Sequence, residues 1–255
     1  TFFPRSLEAE AYTPDRRYFG RLQASPFIEK LVLEFAQQMI EAEKLGSDEH
    51  PDVLFIGFSA ADDIGHRYGP LSQESMDYFM HLDQYLGEFL DDLDKKIGKG
   101  KYFTVLSSDH GVLPLPEELV RRGFDSKRIA SEQLIGALRD ALTALSQEIG
   151  AEGQFITRIQ NNSLYVNYQL AEQNGLSPAE IDRKLVEVLK KSPIIADVFT
   201  KADLTSTDGA DRPYLQRFRN GYYAERTGDL LFRLKEHYLV DNQYGTSHGS
   251  THNYD

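Results

Sequence analysis

Three short stretches of this chain hold residues whose types and spacing can do chemistry. Asp62 and His66 stand four apart in Asp62-Asp63-Ile64-Gly65-His66, Asp109 and His110 are adjacent in Asp109-His110-Gly111, and His248 lies within Gly245-Thr246-Ser247-His248-Gly249. Carboxylates and imidazoles gathered this way suit borderline divalent metals, zinc first. The chain has no cysteine, so any metal must be held by Asp, Glu or His. Five such residues point to a hydrolytic site with two metals, in which paired cations clamp the attacking and leaving oxygens of a displacement. Each stretch alone also has a plain reading. Asp62-Asp63 composes a solvated turn, Asp109-His110-Gly111 an ordinary turn, and His248 a loop histidine. The joint pattern carries the argument, because order, spacing and placement after apolar runs agree. His50, His81, His237 and His252 lack such a setting and read as surface or packing residues.

The surrounding elements must bring these stretches together. Residues 1–24 read as irregular, with Pro4 and Pro14 as breakers. Ser25-Pro26 reads as an N-cap followed by proline at the first helical position, opening a helix to about Lys44. Asp52 to Phe58 is a short continuous apolar run, as expected of a strand buried on both faces. A second long helix is predicted from Ser72 to about Ile97, and a second buried strand from Lys101 to Leu106. This alternation predicts an α/β fold with a mostly parallel sheet and helices on both faces. Ligands bind such sheets beyond the carboxyl ends of the strands, which is where Asp62 and Asp109 follow. A single helical turn would put Asp62 and His66 on one face. Gly65 allows a tight bend or close backbone approach there, Gly111 assists the turn after His110, and Gly245 and Gly249 do the same around His248.

Residues 113–225 change character. A helix over Ser131–Gln147, strands over Gln154–Ile159 and Ser163–Tyr168, a helix from Ser177-Pro178 to Lys191 and a strand over Ile194–Phe199 read as an inserted small α+β subdomain. Residues 201–221 read as loop, and Asp229–Leu234 as a strand returning the chain towards His248. The expected division is therefore a metal-site α/β core over 1–112 and 226–255, with the insertion at 113–225.

The chain has 255 residues, 40% of them hydrophobic and 27% charged, the composition of a globular protein large enough for a sizeable core. Its formal net charge of −12 argues against a nucleic-acid polymer as partner, since phosphate backbones need a basic footprint. A small anionic substrate remains compatible, because bound divalent ions reverse the local potential. No apolar run reaches membrane-spanning length, and no signal segment opens the chain.

The motifs resemble the alkaline phosphatase superfamily, and within it the branch of type I phosphodiesterases, nucleotide pyrophosphatases and related bacterial alkaline phosphatases. The matching text is Phe58-Ser59-Ala60-Ala61-Asp62-Asp63-Ile64-Gly65-His66-Arg67-Tyr68-Gly69-Pro70, then Leu106-Ser107-Ser108-Asp109-His110-Gly111, then Gly245-Thr246-Ser247-His248-Gly249-Ser250. Arg226-Thr227-Gly228-Asp229 resembles the strand entry that precedes the last histidine. The resemblance spans most of the chain and is faintest over the insertion. It implies that Asp62, His66 and His248 hold one zinc ion, and Asp109 and His110 a second, two per intact site. It also implies a further carboxylate ligand and a Thr or Ser nucleophile upstream of Thr1. No catalytic nucleophile is therefore assigned in this chain, and Ser59, Ser107 and Ser108 do not stand at its place.

The abrupt ends at Thr1-Phe2-Phe3-Pro4 and Tyr254-Asp255 read as those of the C-terminal portion of a longer catalytic domain, inactive alone. The implied function of the parent is a metal-dependent phosphoric ester hydrolase acting on a small phosphate ester, exported to the periplasm or beyond. The five residues do not separate this from phosphomutase, sulfatase or phosphonate hydrolase chemistry in the same superfamily, nor from a non-catalytic metal-binding domain. Substrate preference and oligomeric state are not written in them.

Overall fold

The chain divides into two units, residues 1–115 with 244–248 and residues 116–243 with 249–255. The computed structural model describes residues 15–209, 211–241 and 244–255. Among the described residues the first element of this unit is α1 (Arg16–Gln23), where the sequence reading expected irregular chain. Asp15 makes the difference, since its carboxylate accepts the Tyr18 amide at 2.8 Å and caps the helix. The expectation for residues 1–14 lies outside the described residues. Helix α2 (Phe27–Ala42) follows with Pro26 at its cap. Ser25 does not cap it; its hydroxyl donates to the Leu22 carbonyl at 2.7 Å.

Helix α3 spans Ala60–Tyr68 and helix α4 spans Gln73–Leu93. The Ser72 hydroxyl accepts the Ser75 amide at 3.1 Å to start α4, and one wider turn over Asp94–Gly98 ends it. Leu33, Ala36 and Ile40 of α2 pack against Tyr85, Phe89 and Leu93 of α4. These positions recur at helical spacing, so each helix presents one continuous apolar stripe to the other.

The two segments read as strands buried on both faces differ from that expectation. Neither 52–58 nor 101–106 carries a ladder among the described residues. Leu54, Ile56, Phe58 and Tyr102 pack onto the α2–α4 layer. Their neighbours face outward, with Val53 at 74%, Phe55 at 91%, Phe103 at 101% and Val105 at 89% exposure. Period-2 burial along 54, 56 and 58 has the strand pattern, with one of its two faces covered.

The second unit holds α5 (Pro116–Arg121), β1 (Lys127–Ile129), α6 (Ser131–Ile149), β2 (Ile156–Gln160), β3 (Ser163–Val166) and α7 (Tyr168–Gln173). It continues with α8 (Pro178–Leu189), β4 (Ile195–Thr200), α9 (Lys201–Thr205), α10 (Leu215–Asn220), β5 (Leu230–Leu234) and β6 (Tyr238–Val240). Strands β1 and β6 pair in parallel, and an antiparallel sheet runs β2-β3-β5-β4. The chain as a whole is of the α/β class. Ser177 and Glu180 form the capping box that starts α8, and Ile181, Leu185 and Leu189 then bury one face into a core with Leu138, Leu145, Leu164, Val198 and Leu230.

Two readings of this region change. The stretch 201–221, expected as loop, contains α9 and α10, each burying leucine or phenylalanine from Leu204, Leu215 and Phe218. Strand β5, expected with the metal-site core, lies between β3 and β4 instead. Leu230, Leu231 and Phe232 are all buried there, which suits a central strand covered on both faces.

Candidate metal centre

Helix α3 delivers the first two candidate ligands. Asp62 and His66 sit one turn apart, and Asp62 Oδ1 lies 3.4 Å from His66 Nε2. Ser59, at the cap of α3, makes no side-chain cap bond. The capping acceptor comes from α2: Oε1 of Glu29, a residue only 1% exposed, accepts the Ala60 amide at 2.8 Å and the Tyr78 hydroxyl at 3.1 Å. Burial pushes the Glu29 carboxyl above its usual range, while those two donors pull it back.

The third candidate ligand arrives on the segment Tyr244–His248, which belongs to the same unit as α3. The Thr246 amide donates to the His66 carbonyl at 2.8 Å. His66 Nδ1 lies 2.7 Å from the Thr246 carbonyl oxygen. With the proton on Nδ1 that bond is made, and Nε2 keeps its lone pair for a metal. The Thr246 hydroxyl donates to the Leu113 carbonyl at 2.7 Å, and the Leu113 amide donates to the Ser247 carbonyl at 3.2 Å. Gly245 adopts φ +87°, and a Cβ there would run into the His66 carbonyl, so the close approach requires glycine.

This places His248 Nε2 3.3 Å from Asp62 Oδ1. One ligand atom each from Asp62, His66 and His248 lies within 4.8 Å of the others. A tetrahedral ion with bonds of about 2.0–2.1 Å has ligand–ligand edges of about 3.3 Å, so the two measured edges fit zinc. The donor set, one carboxylate and two imidazoles, fits it chemically as well.

Asp109 and His110 stand differently. The His110 ring stacks on His248 with centroids 3.6 Å apart and planes at 17°. Its Nδ1 lies 2.8 Å from the Gly111 carbonyl, and its Nε2 lies 3.6 Å from Asp109 Oδ2. Asp109 has an 88% exposed side chain, and its Oδ1 accepts the His110 amide at 3.1 Å. His110 is thus beside the first cluster, but Asp109 and His110 belong to no three-ligand group among the described residues. Gly65 makes no bend; it lies within α3, where a Cβ would meet the Val112 side chain at 3.4 Å.

His252, read as a surface or packing histidine, is 4% exposed and stacks with Tyr254 in the second unit. Glu29 was missed from the sequence. A signal existed, because it falls on the buried α2 stripe with Leu33, Ala36 and Ile40, where a charge needs a partner. No helix among the described residues is long and apolar enough to cross a membrane.

The model of one protein family, type I phosphodiesterase / nucleotide pyrophosphatase, matches residues 2–255. The sequence is 28% identical over 256 residues to alkaline phosphatase PafA of Elizabethkingia meningoseptica, covering 99% of this chain and 45% of that protein. It is 30% identical over 264 residues to a Myroides odoratus protein named calcium-transporting ATPase, covering 99% and 45%. It is 29% identical over 240 residues to alkaline phosphatase PhoV of Synechococcus elongatus, covering 93% and 42%. The crystal structure of wild-type PafA matches with a TM-score of 0.75 at 28% identity, over 93% of this chain and 44% of that one. The chain therefore spans less than half the length of these relatives.

Proposed function

Because this chain belongs to the type I phosphodiesterase / nucleotide pyrophosphatase family, we propose that it supplies the metal-holding part of a two-zinc phosphoric ester hydrolase. One observation carries this reading: Asp62 Oδ1 stands 3.4 and 3.3 Å from the Nε2 atoms of His66 and His248, residues that the chain brings together from 62 and 248. The names of PafA and PhoV, both alkaline phosphatases, support it.

In this reading Asp62, His66 and His248 hold one zinc, and Asp109 and His110 contribute to a second. When bound, zinc supplies Lewis-acid stabilisation of charge on reacting phosphate-ester oxygens. The chain's own residues orient and hold the site. His66 is fixed in one tautomer by the Thr246 carbonyl, and the Thr246 hydroxyl ties that backbone to Leu113. His110 packs its ring against His248 and restrains it from one side. No Ser or Thr of this chain is assigned as nucleophile. The substrate is a small phosphate ester, in keeping with a net charge of −12 that disfavours polynucleotides. The working compartment in this reading is the periplasm or the exterior.

Elemental analysis after dialysis tests the centre. About one zinc per chain is expected for the wild type and none for His248→Ala, since two ligands hold zinc poorly. No bound metal in either protein overturns the reading. In the longer protein, His248→Ala should also abolish release of p-nitrophenol from p-nitrophenyl phosphate.

A further inference from the structure

Helix α3 carries two of the three clustered ligands, yet nothing in its own sequence secures its start. The first amides of a helix have no intrahelical acceptor, and the side chain of Ser59 does not provide one. Asp62 lies in that unsecured first turn, two residues after Ala60. The far side of the helix is fixed through His66 and Thr246, so the remaining freedom sits at the Asp62 end.

That end is held from a distance. Glu29 reaches from α2, 31 residues away, to accept the Ala60 amide, and Tyr78 of α4 donates its hydroxyl to the same Glu29 oxygen. The first amide of α3 is thus taken up by a side chain from α2 that is itself held by one from α4. Tyr78 is fully buried, and Glu29 and Ala60 are each 1% exposed. A carboxylate on the buried stripe of α2 is a costly place for one unless it has such a task. Metal ligands tolerate displacements of only about half an ångström before affinity suffers.

We propose that Glu29 is a positioning residue of the metal centre: acting through the Ala60 amide and the Tyr78 hydroxyl, it sets where the first turn of α3, and with it Asp62, stands relative to His66 and His248. This rests on the metal reading above and adds a group that touches no ligand atom. The amide oxygen of glutamine can accept both bonds, whereas alanine leaves two buried donors without a partner.

The test uses cobalt(II) as the probe, with affinity measured by chelator competition and geometry by the visible d–d bands. Leu33→Ala serves as the control, because Leu33 is buried on α2 one turn from Glu29 and packs in the α2–α4 cluster. Glu29→Ala should weaken cobalt binding by about 10–100-fold and alter the band shape, as loss of an outer support does. Glu29→Gln and Leu33→Ala should both stay within about threefold of wild type on the same scale. Cobalt binding by Glu29→Ala within threefold of wild type overturns the proposal, as does an equal loss in Leu33→Ala. Those outcomes leave the metal reading standing. A wild type that takes no cobalt, or takes it equally well as His248→Ala, defeats the metal reading and this inference with it.

Discussion

Asp182 shows how burial retunes a single side chain in this protein. It lies in α8, accepts the Tyr168 hydroxyl at 3.0 Å, and its pKa is pushed up to about 6 from an ordinary 3.8, mainly by burial and further by the charge of Asp229. The folded state therefore holds this proton more tightly than the unfolded chain. Its contribution to stability is complete below about pH 4 and is lost as pH rises through 6. The loss is at most about 3 kcal/mol, two units at about 1.4 kcal/mol each. Asp182→Asn keeps an acceptor for Tyr168 and removes the titration. The variant should match the wild type at pH 4 and exceed it at pH 8 in urea unfolding; equal midpoints at both pH values would refute this. Single residues also show where sequence reading stops. Asp62, His66 and His248 stood out because residues able to hold a metal are few in type, and the structure brings the three together. Glu29 was not, because its partners Ala60 and Tyr78 are 31 and 49 residues away, and no local pattern links them.

Helices were the elements best read from periodicity, and their buried faces were read only in part. Along α2 the apolar positions Phe27, Ile28, Leu31, Val32, Phe35, Met39 and Ile40 predict the buried stripe; Ile40 is buried, but Phe27, Leu31 and Phe35 are 46%, 51% and 66% exposed, and the buried Leu33 and Ala36 lie off it. Along α4 the apolar positions Met76, Phe79, Leu82, Leu86, Phe89, Leu90 and Leu93 predict the buried stripe; Leu82, Phe89 and Leu93 are buried, Met76 and Phe79 are 66% and 58% exposed, and the buried Tyr78 and Tyr85 lie off it. An apolar residue announces burial somewhere, and a helix apolar on two sides does not say which side meets its neighbour. The same holds for 52–58 and 101–106, whose outward residues Val53, Phe55, Phe103 and Val105 remain uncovered in this chain. Bare apolar side chains of this kind bind dyes where they lie together. The 255-residue chain should enhance anilinonaphthalene sulfonate fluorescence in its native state. Replacing Phe55 and Phe103 with serine should lower that signal severalfold while leaving far-ultraviolet circular dichroism intact. An unchanged signal would place the dye elsewhere. Capping chemistry was the other gap: α1 was read as irregular because Pro14 outweighed Asp15, whose side chain closes the helix start.

The chain divides into two units, and the clustered Asp62, His66 and His248 all belong to the first. Calorimetry should therefore resolve two transitions that respond differently to metal. Zinc at 100 times its dissociation constant should stabilise one by about 2.7 kcal/mol and leave the other where it was. Excess chelator should reverse the shift; two transitions moving together would contradict the division. The α/β class was legible from the alternating element pattern, whereas the place of β5 was not, since strand propensity does not name a sheet. The pairing of His66 with Thr246 spans 180 residues of sequence. Contacts of such separation form late, after the intervening chain has ordered. A growing or half-folded chain can offer Asp62 and His66 but not His248, and so lacks a complete trap for the ion. On the zinc reading proposed above, loading doubles as a completion signal: only molecules that have finished folding would retain the ion, and the unloaded fraction would count those that have not.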